Sequence, residues 1–243
     1  MLFSLTDVQD YHLRSQEGDL GEIKSFLIDD FDWVLRYLIV EIDDREVLVS
    51  TASMGAPDPD QRVIPINLTR ERIVASPVFD SGRPISRDIE RRLSDYYEWP
   101  YYWKPDDVPD TLPGDLTAVP LIDLQLDKES QEDQAENPPD DRMTTASEKD
   151  QPHLRSTKLL FGLTIHATND DHNTGKLVDM IVESEGWKIL YLIIDTSGLM
   201  SNKKVLMPPN WVTRIDELNS RIDLELSAQT IQDAPEFNSI DDL

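Results

Sequence analysis

The stretch RYLIVEI, residues 36–42, recurs with few changes as LYLIIDT, residues 190–196. The similarity extends without a gap over residues 21–42 and 175–196. A repeat of this length predicts one structural unit that is present twice in the chain. The residues matched by the alignment include Gly21 and Gly175, Trp33 and Trp187, and Tyr37 and Tyr191.

The alignment of the two copies also covers their ends. Towards the N-terminus, the same register places His12 on His166. Near residues 198–204 the offset between matched residues rises from 154 to 158, which is a four-residue insertion in the second copy. Residues 64–81 then align with residues 222–239. An insertion between two conserved stretches is typical of a surface loop, so we expect a loop there.

Within each copy the apolar residues alternate with polar ones, which favours β-strands over helices. Several short strands without a long amphipathic helix are typical of a small β-barrel, because closure removes exposed sheet edges. We therefore predict a mainly β protein with two small barrels in tandem, each closing around its own strands. The alternating residues are Ile23, Phe26, Ile28, Trp33, Leu35, Tyr37 and Ile39 in copy one, and Leu177, Met180, Val182, Trp187, Ile189, Tyr191 and Ile193 in copy two.

The first copy is followed by an extra segment, SGRPISRDIERRLSDYYEWPYYW, residues 81–103. Its apolar residues recur every three or four positions, which predicts one short helix after the first barrel. Ser86 is a suitable N-cap, and Pro100 limits the C-terminal end. The predicted apolar stripe comprises Ile85, Ile89, Leu93 and either Tyr96 or Tyr97, with an ion pair between Asp88 and Arg92 on the polar side.

Residues 105–155 carry 14 acidic and 4 basic side chains and are rich in Pro, Gln and Ser. Such a composition buries too little apolar surface to offset the entropy of ordering, so we predict an acidic flexible linker. Residues 121–127, LIDLQLD, alternate like a short strand, although a chance run explains them equally well. The predicted division is a first module at 1–104, the linker at 105–155 and a second module at 156–243.

The chain has 243 residues, a formal net charge of −25 and no cysteine. This charge repels phosphate backbones and anionic lipid, which disfavours nucleic acid and membrane surfaces as partners. Solubility or adaptation to high salt is the simplest explanation of the charge, and a dedicated basic partner is the alternative. Because we find neither a signal peptide nor an apolar stretch of membrane-spanning length, we expect a cytoplasmic protein without membrane insertion.

The repeated motif resembles the PRC-barrel family, which combines a Gly before the second strand with Trp, then Tyr-Leu, an aliphatic pair and an acidic residue. The matching residues are Gly21, Trp33, Tyr37, Leu38, Ile39, Val40 and Glu41, and again Gly175, Trp187, Tyr191, Leu192, Ile193, Ile194 and Asp195. The family includes the cytoplasmic domain of the photosynthetic reaction centre H subunit and the barrel of a ribosome maturation factor. The resemblance implies a docking barrel and not a catalyst. The membrane helix of the H subunit has no counterpart in this sequence, which argues against a direct role in electron transfer.

Few residues suggest chemistry. Of the four histidines, His12, His153, His166 and His172, only the last two are close in sequence, and we expect packing roles rather than a metal site. The stretch NDDHNTG, residues 169–175, lacks the spacing of a calcium loop and predicts a polar turn. The carboxylates at Asp29, Asp30 and Asp32, and at Glu183 and Glu185, are predicted to be solvated turn residues. We therefore predict no catalytic, cofactor-binding or metal-binding residues.

The aromatic segment that ends the predicted helix is the strongest candidate for a binding surface, because so many rings are difficult to bury in one short segment. Its residues are Tyr96, Tyr97, Trp99, Tyr101, Tyr102 and Trp103. The leading hypothesis is a non-enzymatic adaptor that binds a protein partner or self-associates. The alternative is a protein that binds a small molecule or a divalent cation through its acidic turns.

Overall fold

The strands of this protein are short and numerous, as the alternating residues predict. The computed structural model describes residues 1–80, 83–103, 154–168, 173–197 and 203–243. In the first half the strands are β1 (Leu2–Ser4), β2 (His12–Ser15), β3 (Gly18–Asp29), β4 (Val34–Ile42), β5 (Arg45–Ser50) and β6 (Val63–Pro65), and the helices are α1 (Leu5–Val8), α2 (Arg70–Val74) and α3 (Arg87–Tyr97). In the second half the strands are β7 (Leu154–Ser156), β8 (Thr164–Ala167), β9 (Asn173–Glu183), β10 (Lys188–Asp195), β11 (Lys204–Met207), β12 (Val212–Asp216) and β13 (Arg221–Leu224), and the helices are α4 (Thr157–Leu160) and α5 (Ala228–Asp233). Within the described residues, 3₁₀ turns lie at Thr51–Ser53, Pro209–Trp211 and Ile240–Asp242.

The thirteen strands of the described residues belong to one mixed sheet, whose main path runs β12-β13-β8-β9-β10-β4-β3-β2-β6. The pairs β2–β6 and β8–β13 are parallel, and the other pairs are antiparallel. The prediction of a mainly β protein is confirmed. Residues Met1–Trp99 and Pro152–Leu243 form one compact unit, and residues Pro100–Gln151 are assigned to a second.

The core lies along the long hairpins β3–β4 and β9–β10, where apolar residues face each other. Phe26 is opposite Leu38 in the first hairpin, and Met180 is opposite Leu192 in the second. All four side chains are buried. Burial of each contributes about 1.5–3 kcal/mol to folding, so these hairpins supply much of the stability.

The two hairpins meet at the tryptophans that the repeat alignment pairs. The amide of Leu35 donates to the carbonyl of Trp187 at 2.9 Å, and the amide of Ile189 donates to the carbonyl of Trp33 at 2.8 Å. Both tryptophans have a left-handed backbone, with φ of 54° and 58°. The matched residues thus make the same bonds in each direction, as a pseudo-twofold axis requires.

The first strand of each half pairs with the other half. Strand β1 lies antiparallel to β9, and β7 lies antiparallel to β3. Phe3 of β1 packs edge-on against Trp187, with ring centroids 5.6 Å apart. The expectation that each copy closes around its own strands is therefore wrong, because each copy receives a strand and the following short helix from the other copy.

Polar side chains hold both exchanged segments in place. The hydroxyls of Ser4 and Thr6, at the start of α1, both donate to the buried carboxylate of Asp179, which also accepts from the Thr6 amide at 3.1 Å. At the matching position of the other half, the Ser25 hydroxyl bonds with that of Ser156 at 2.8 Å. Each exchanged helix is thus anchored through polar groups at its N-terminal end.

The strand register corrects two details of the alignment. Leu13 pairs with Gly21 and Ile165 pairs with Gly175, so the matched positions of β2 and β8 differ by 152 (165 − 13) and not by 154. His12 is therefore not equivalent to His166, contrary to the alignment. The predicted linker also ends too late, because Leu154 and Arg155 already belong to β7. The rest of the linker, with residues 121–127, and the insertion at 198–202 lie outside the described residues.

Among the residues that the structure describes, none of the helices has the length and apolar composition that crossing a bilayer requires.

Candidate interaction surface

Helix α3 carries the first part of the predicted aromatic surface. Ser86 is its N-cap, as predicted, and its C-cap is Glu98, whose backbone is left-handed with φ of 61°. Asp88 pairs with Arg91 at 3.2 Å and not, as predicted, with Arg92. The side chains of α3 that are buried are those of Glu90, Leu93, Ser94 and Tyr97. The helix thus lays one face on the protein, as its periodicity indicates.

Three residues of the predicted surface contact other parts of the compact unit, and one of them, Tyr97, is buried. Tyr97 is only 4% exposed, and its ring stacks on that of Trp99 at a centroid distance of 4.1 Å. The indole Nε1 of Trp99 donates to Ser53 Oγ at 2.6 Å. The hydroxyl of Tyr96 donates to the carbonyl of Arg72 at 2.8 Å. These rings anchor α3, and the buried Tyr97 ring offers no surface to a partner.

Glu90 is a buried carboxylate that the apolar pattern does not reveal. It accepts from Arg87 Nη1 at 3.1 Å and from the Tyr37 hydroxyl at 3.4 Å. These partners offset the cost of removing its charge from water. Burial, and then the negative charge of Glu90 and its hydrogen bond, raise the pKa of the Tyr37 hydroxyl.

Replacing Tyr97 by Phe should make the protein more resistant to alkaline unfolding. Burial raises the pKa of Tyr97 to about 12, and the Ser76 hydroxyl acts in the opposite direction. Neither the Tyr97 nor the Ser76 hydroxyl forms a regular hydrogen bond within the described residues. An unfolded Tyr loses its proton near pH 10, so the unfolded chain binds fewer protons than the folded one between pH 10 and 12. The free energy of unfolding therefore falls with pH in this window, by about 2 kcal/mol from Tyr97 alone.

Urea unfolding at pH 8, 10 and 11.5 measures this effect. The difference between Tyr97→Phe and the unmodified protein should be small at pH 8 and should favour the variant at pH 11.5. Tyr191→Phe is the control, since the half-buried Tyr191 occupies the position in the second repeat that matches Tyr37. Equal pH dependence of the unmodified protein and the Tyr97 variant would contradict the assignment.

The last three residues of the aromatic segment belong to the second unit of the chain. Tyr101 is 37% exposed, whereas Tyr102 and Trp103 are half-buried. The ring of Trp103 lies 5.1 Å from that of Tyr101 and 4.7 Å from that of Tyr102. These rings form a small cluster directly after the residues that anchor α3. Partner binding by this segment stays a prediction.

In the first hairpin turn the prediction of solvated carboxylates is wrong for Asp29, whereas Asp32 is exposed. Asp29 is buried and accepts from the amides of Phe31 at 3.0 Å and Asp32 at 3.2 Å. Arg36 donates to the other oxygen of Asp29 at 3.1 Å. These donors offset the cost of burying the Asp29 carboxylate, and they shape the turn.

The histidines are not gathered into a site in the part of the chain that is described. His12 is exposed on β2, and His166 Nε2 lies 3.2 Å from Thr164 Oγ1. His153 and His172 lie outside the described residues, as does most of the polar turn at residues 169–175. Within the described ranges, no group of three or more His, Asp or Glu side chains is arranged to hold a metal ion.

A surface depression lies beside the Ser53 hydroxyl that accepts from Trp99. It has a volume of about 430 Å³, and its polar lining includes Arg14 and Asn67. Arg14 donates to Asp19 at 2.6 Å and to Gln61 at 3.0 Å, so its guanidinium is already bonded. Small-molecule binding, the alternative function, stays a prediction.

No protein-family model matches this chain, and a search of curated proteins finds no match. Membership of the PRC-barrel family therefore stays a prediction based on the repeated motif.

Sequence reasoning missed several exposed apolar side chains, and we consider three of them, those of Phe31, Leu159 and Leu218. Phe31 and Leu218 each interrupt a polar turn, in the stretches DFDW and DELNS. An apolar residue within a polar turn is the signal that would have identified two of the three.

Proposed function

We propose that this protein is a non-enzymatic adaptor, built from two PRC-barrel-like repeats, that binds a protein partner in the cytoplasm. The resemblance to the soluble domain of the reaction centre H subunit then concerns the architecture alone, and we do not propose a role in electron transfer. The repeats form an intramolecular pair in this view, so the strand exchange replaces the pairing of two separate chains.

The observation that carries the proposal is the ring cluster at the end of the aromatic segment. Tyr101 is exposed, and its ring lies beside that of Trp103. Tyr and Trp provide large, rigid contact areas with one polar atom each, which is why they are enriched at protein interfaces. The net charge of −25 opposes close association of two copies, so a different protein is the favoured partner.

The test is affinity purification from the native cell with the double variant Tyr101→Ala/Trp103→Ala. We expect the variant to lose at least one protein that co-purifies with the unmodified chain. Trp99 is left unchanged because it anchors α3 through Ser53. Trp211→Ala is the matched control, since Trp211 is similarly exposed (38%) but lies outside the segment.

An unchanged set of co-purifying proteins would refute partner binding through this segment. Light scattering on the unmodified protein separates self-association from binding of another chain. A dimer that the double variant abolishes would identify a second copy as the partner.

A further inference from the structure

Each repeat holds a strand and a short helix of the other repeat in a slot beside its long hairpin. The first segment, β1 with α1, lies on β9, and the second segment, β7 with α4, lies on β3. Ser4 is opposite Ile181, and Ser156 is opposite Leu27, so the two slots correspond residue by residue with an offset of 154 (181 − 27). The slots are called the β9 slot and the β3 slot below.

One polar side chain distinguishes the two slots. The repeat alignment matches Ser25 of the β3 slot with Asp179 of the β9 slot. The residue after it, Phe26 or Met180, is buried, so its amide needs an acceptor. In the β9 slot, Asp179 itself accepts from the amide of Met180 at 2.7 Å. In the β3 slot, the amide of Phe26 donates to the hydroxyl of Thr157 at 3.3 Å, and this hydroxyl belongs to the incoming segment.

The first segment suits the β9 slot and not the β3 slot. It carries Leu5 at the position that Thr157 occupies in the second segment, and a Leu side chain offers no acceptor. On β3, the first segment would therefore leave the amide of Phe26 without this partner, which costs more than an ordinary hydrogen bond contributes. On β9 it meets no such demand, and its two hydroxyls donate to Asp179.

We propose that Thr157 and Asp179 determine which segment enters which slot, and that they make the two repeats exchange strands instead of each closing on itself. Closure within each copy would place β1 and α1 on β3, where Leu5 provides no acceptor. Two copies of the first repeat would meet the same mismatch, so each repeat fits the other repeat and rejects a copy of itself. The adaptor proposal is independent of this assignment, because it concerns the aromatic segment.

Two double variants of the full-length chain test the assignment, and both keep the amino-acid composition and the net charge. The segment variant, Leu5→Thr/Thr157→Leu, moves the acceptor from one segment to the other. The slot variant, Ser25→Asp/Asp179→Ser, exchanges the polar residues of the slots. In each double variant one of the two buried amides loses its acceptor. The combined variant, with all four substitutions, offers both amides an acceptor again.

Urea unfolding at pH 7 should show a midpoint about 1 M lower for each double variant than for the unmodified protein. The combined variant should recover at least half of this loss, although it carries more substitutions than either double variant. Such recovery shows that segment and slot residues are coupled. Phe3 and Arg155, which also differ between the segments, are the same in all four proteins. Shifts that simply add in the combined variant would overturn the proposal.

Cysteine cross-linking reports which strand β1 pairs with, because the chain has no cysteine of its own. Leu2 of β1 lies opposite Glu183 of β9, so Leu2→Cys/Glu183→Cys should form a disulfide on mild oxidation. The yield of the linked peptide, measured by mass spectrometry, should be high in the unmodified and combined backgrounds and several-fold lower in the two double variants. Equal yields in all four backgrounds would also overturn the proposal, since a residue that only fills space does not redirect a strand.

Discussion

Residues 1–103 alone will lack the stable native sheet, and so will residues 152–243, whereas mixing the two fragments will restore it. The reason is the reciprocal pairing of β1 with β9 and of β7 with β3. In the first fragment, the normally buried side chains of Phe3, Leu5 and Val8 have nothing to pack against. The strand that covers them, β9, belongs to the second half. Exposing three such side chains costs about 5–9 kcal/mol, which is comparable to the whole stability of a typical domain.

Circular dichroism and two-dimensional NMR of each fragment, and of a 1:1 mixture, measure this dependence. Each fragment should show no cooperative thermal transition, and the mixture should recover one. The control is the full chain with a protease site introduced between residues 104 and 151 and cut after folding, which should keep its transition. A fragment that unfolds as a monomer at the same temperature as the full chain would contradict the prediction.

The strand exchange explains what the repeat could and could not predict. Alternating residues such as Leu35 and Tyr37 identify the strands, and the hairpins β3–β4 and β9–β10 lie where the sequence places them. Trp33 and Trp187 were predicted in the strands, but each lies in the left-handed turn just before its strand. The stretches LFS and LRS at β1 and β7 are too short to specify a partner. Because the two copies offer similar acceptor strands, pairing within a copy and pairing between copies satisfy the same pattern.

In the candidate surface, the sequence predicts the position of helix α3 but not the contacts that the helix makes. The apolar period and Ser86 predict α3 to within one residue of its observed start. Ile89 was expected on the buried face, yet it is half-buried, while Glu90 is 2% exposed. Periodicity counts apolar residues, so it cannot detect a carboxylate that is buried because Arg87 and Tyr37 bond to it.

Gly21→Ala should destabilise the protein by about 3 kcal/mol or more, and Gly175→Ala by about 2 kcal/mol. A Cβ at Gly21 would overlap the carbonyl oxygen of Glu41 on the neighbouring strand. At Gly175 it would lie 2.8 Å from the carbonyl oxygen of Asp195 and 2.7 Å from Ile194 Cγ2. These contacts are with the adjacent strand, whose backbone cannot move without breaking the sheet ladder, so the added methyl must separate the two strands.

Urea unfolding of the three proteins at pH 7 tests this ranking, with Gly55→Ala as the control. A Cβ at Gly55 would lie 3.0 Å from Pro65 Cγ, a side-chain atom, so we expect a change below about 1 kcal/mol. The gain that Ala brings by restricting the unfolded chain, about 0.4–1 kcal/mol, applies equally to all three variants and leaves the ranking unchanged. Stability of Gly21→Ala equal to that of Gly55→Ala would show that β3 and β4 do not approach as closely at this position as the structure requires. The close packing of the strands in each hairpin would then not explain why glycine is present at both matched positions.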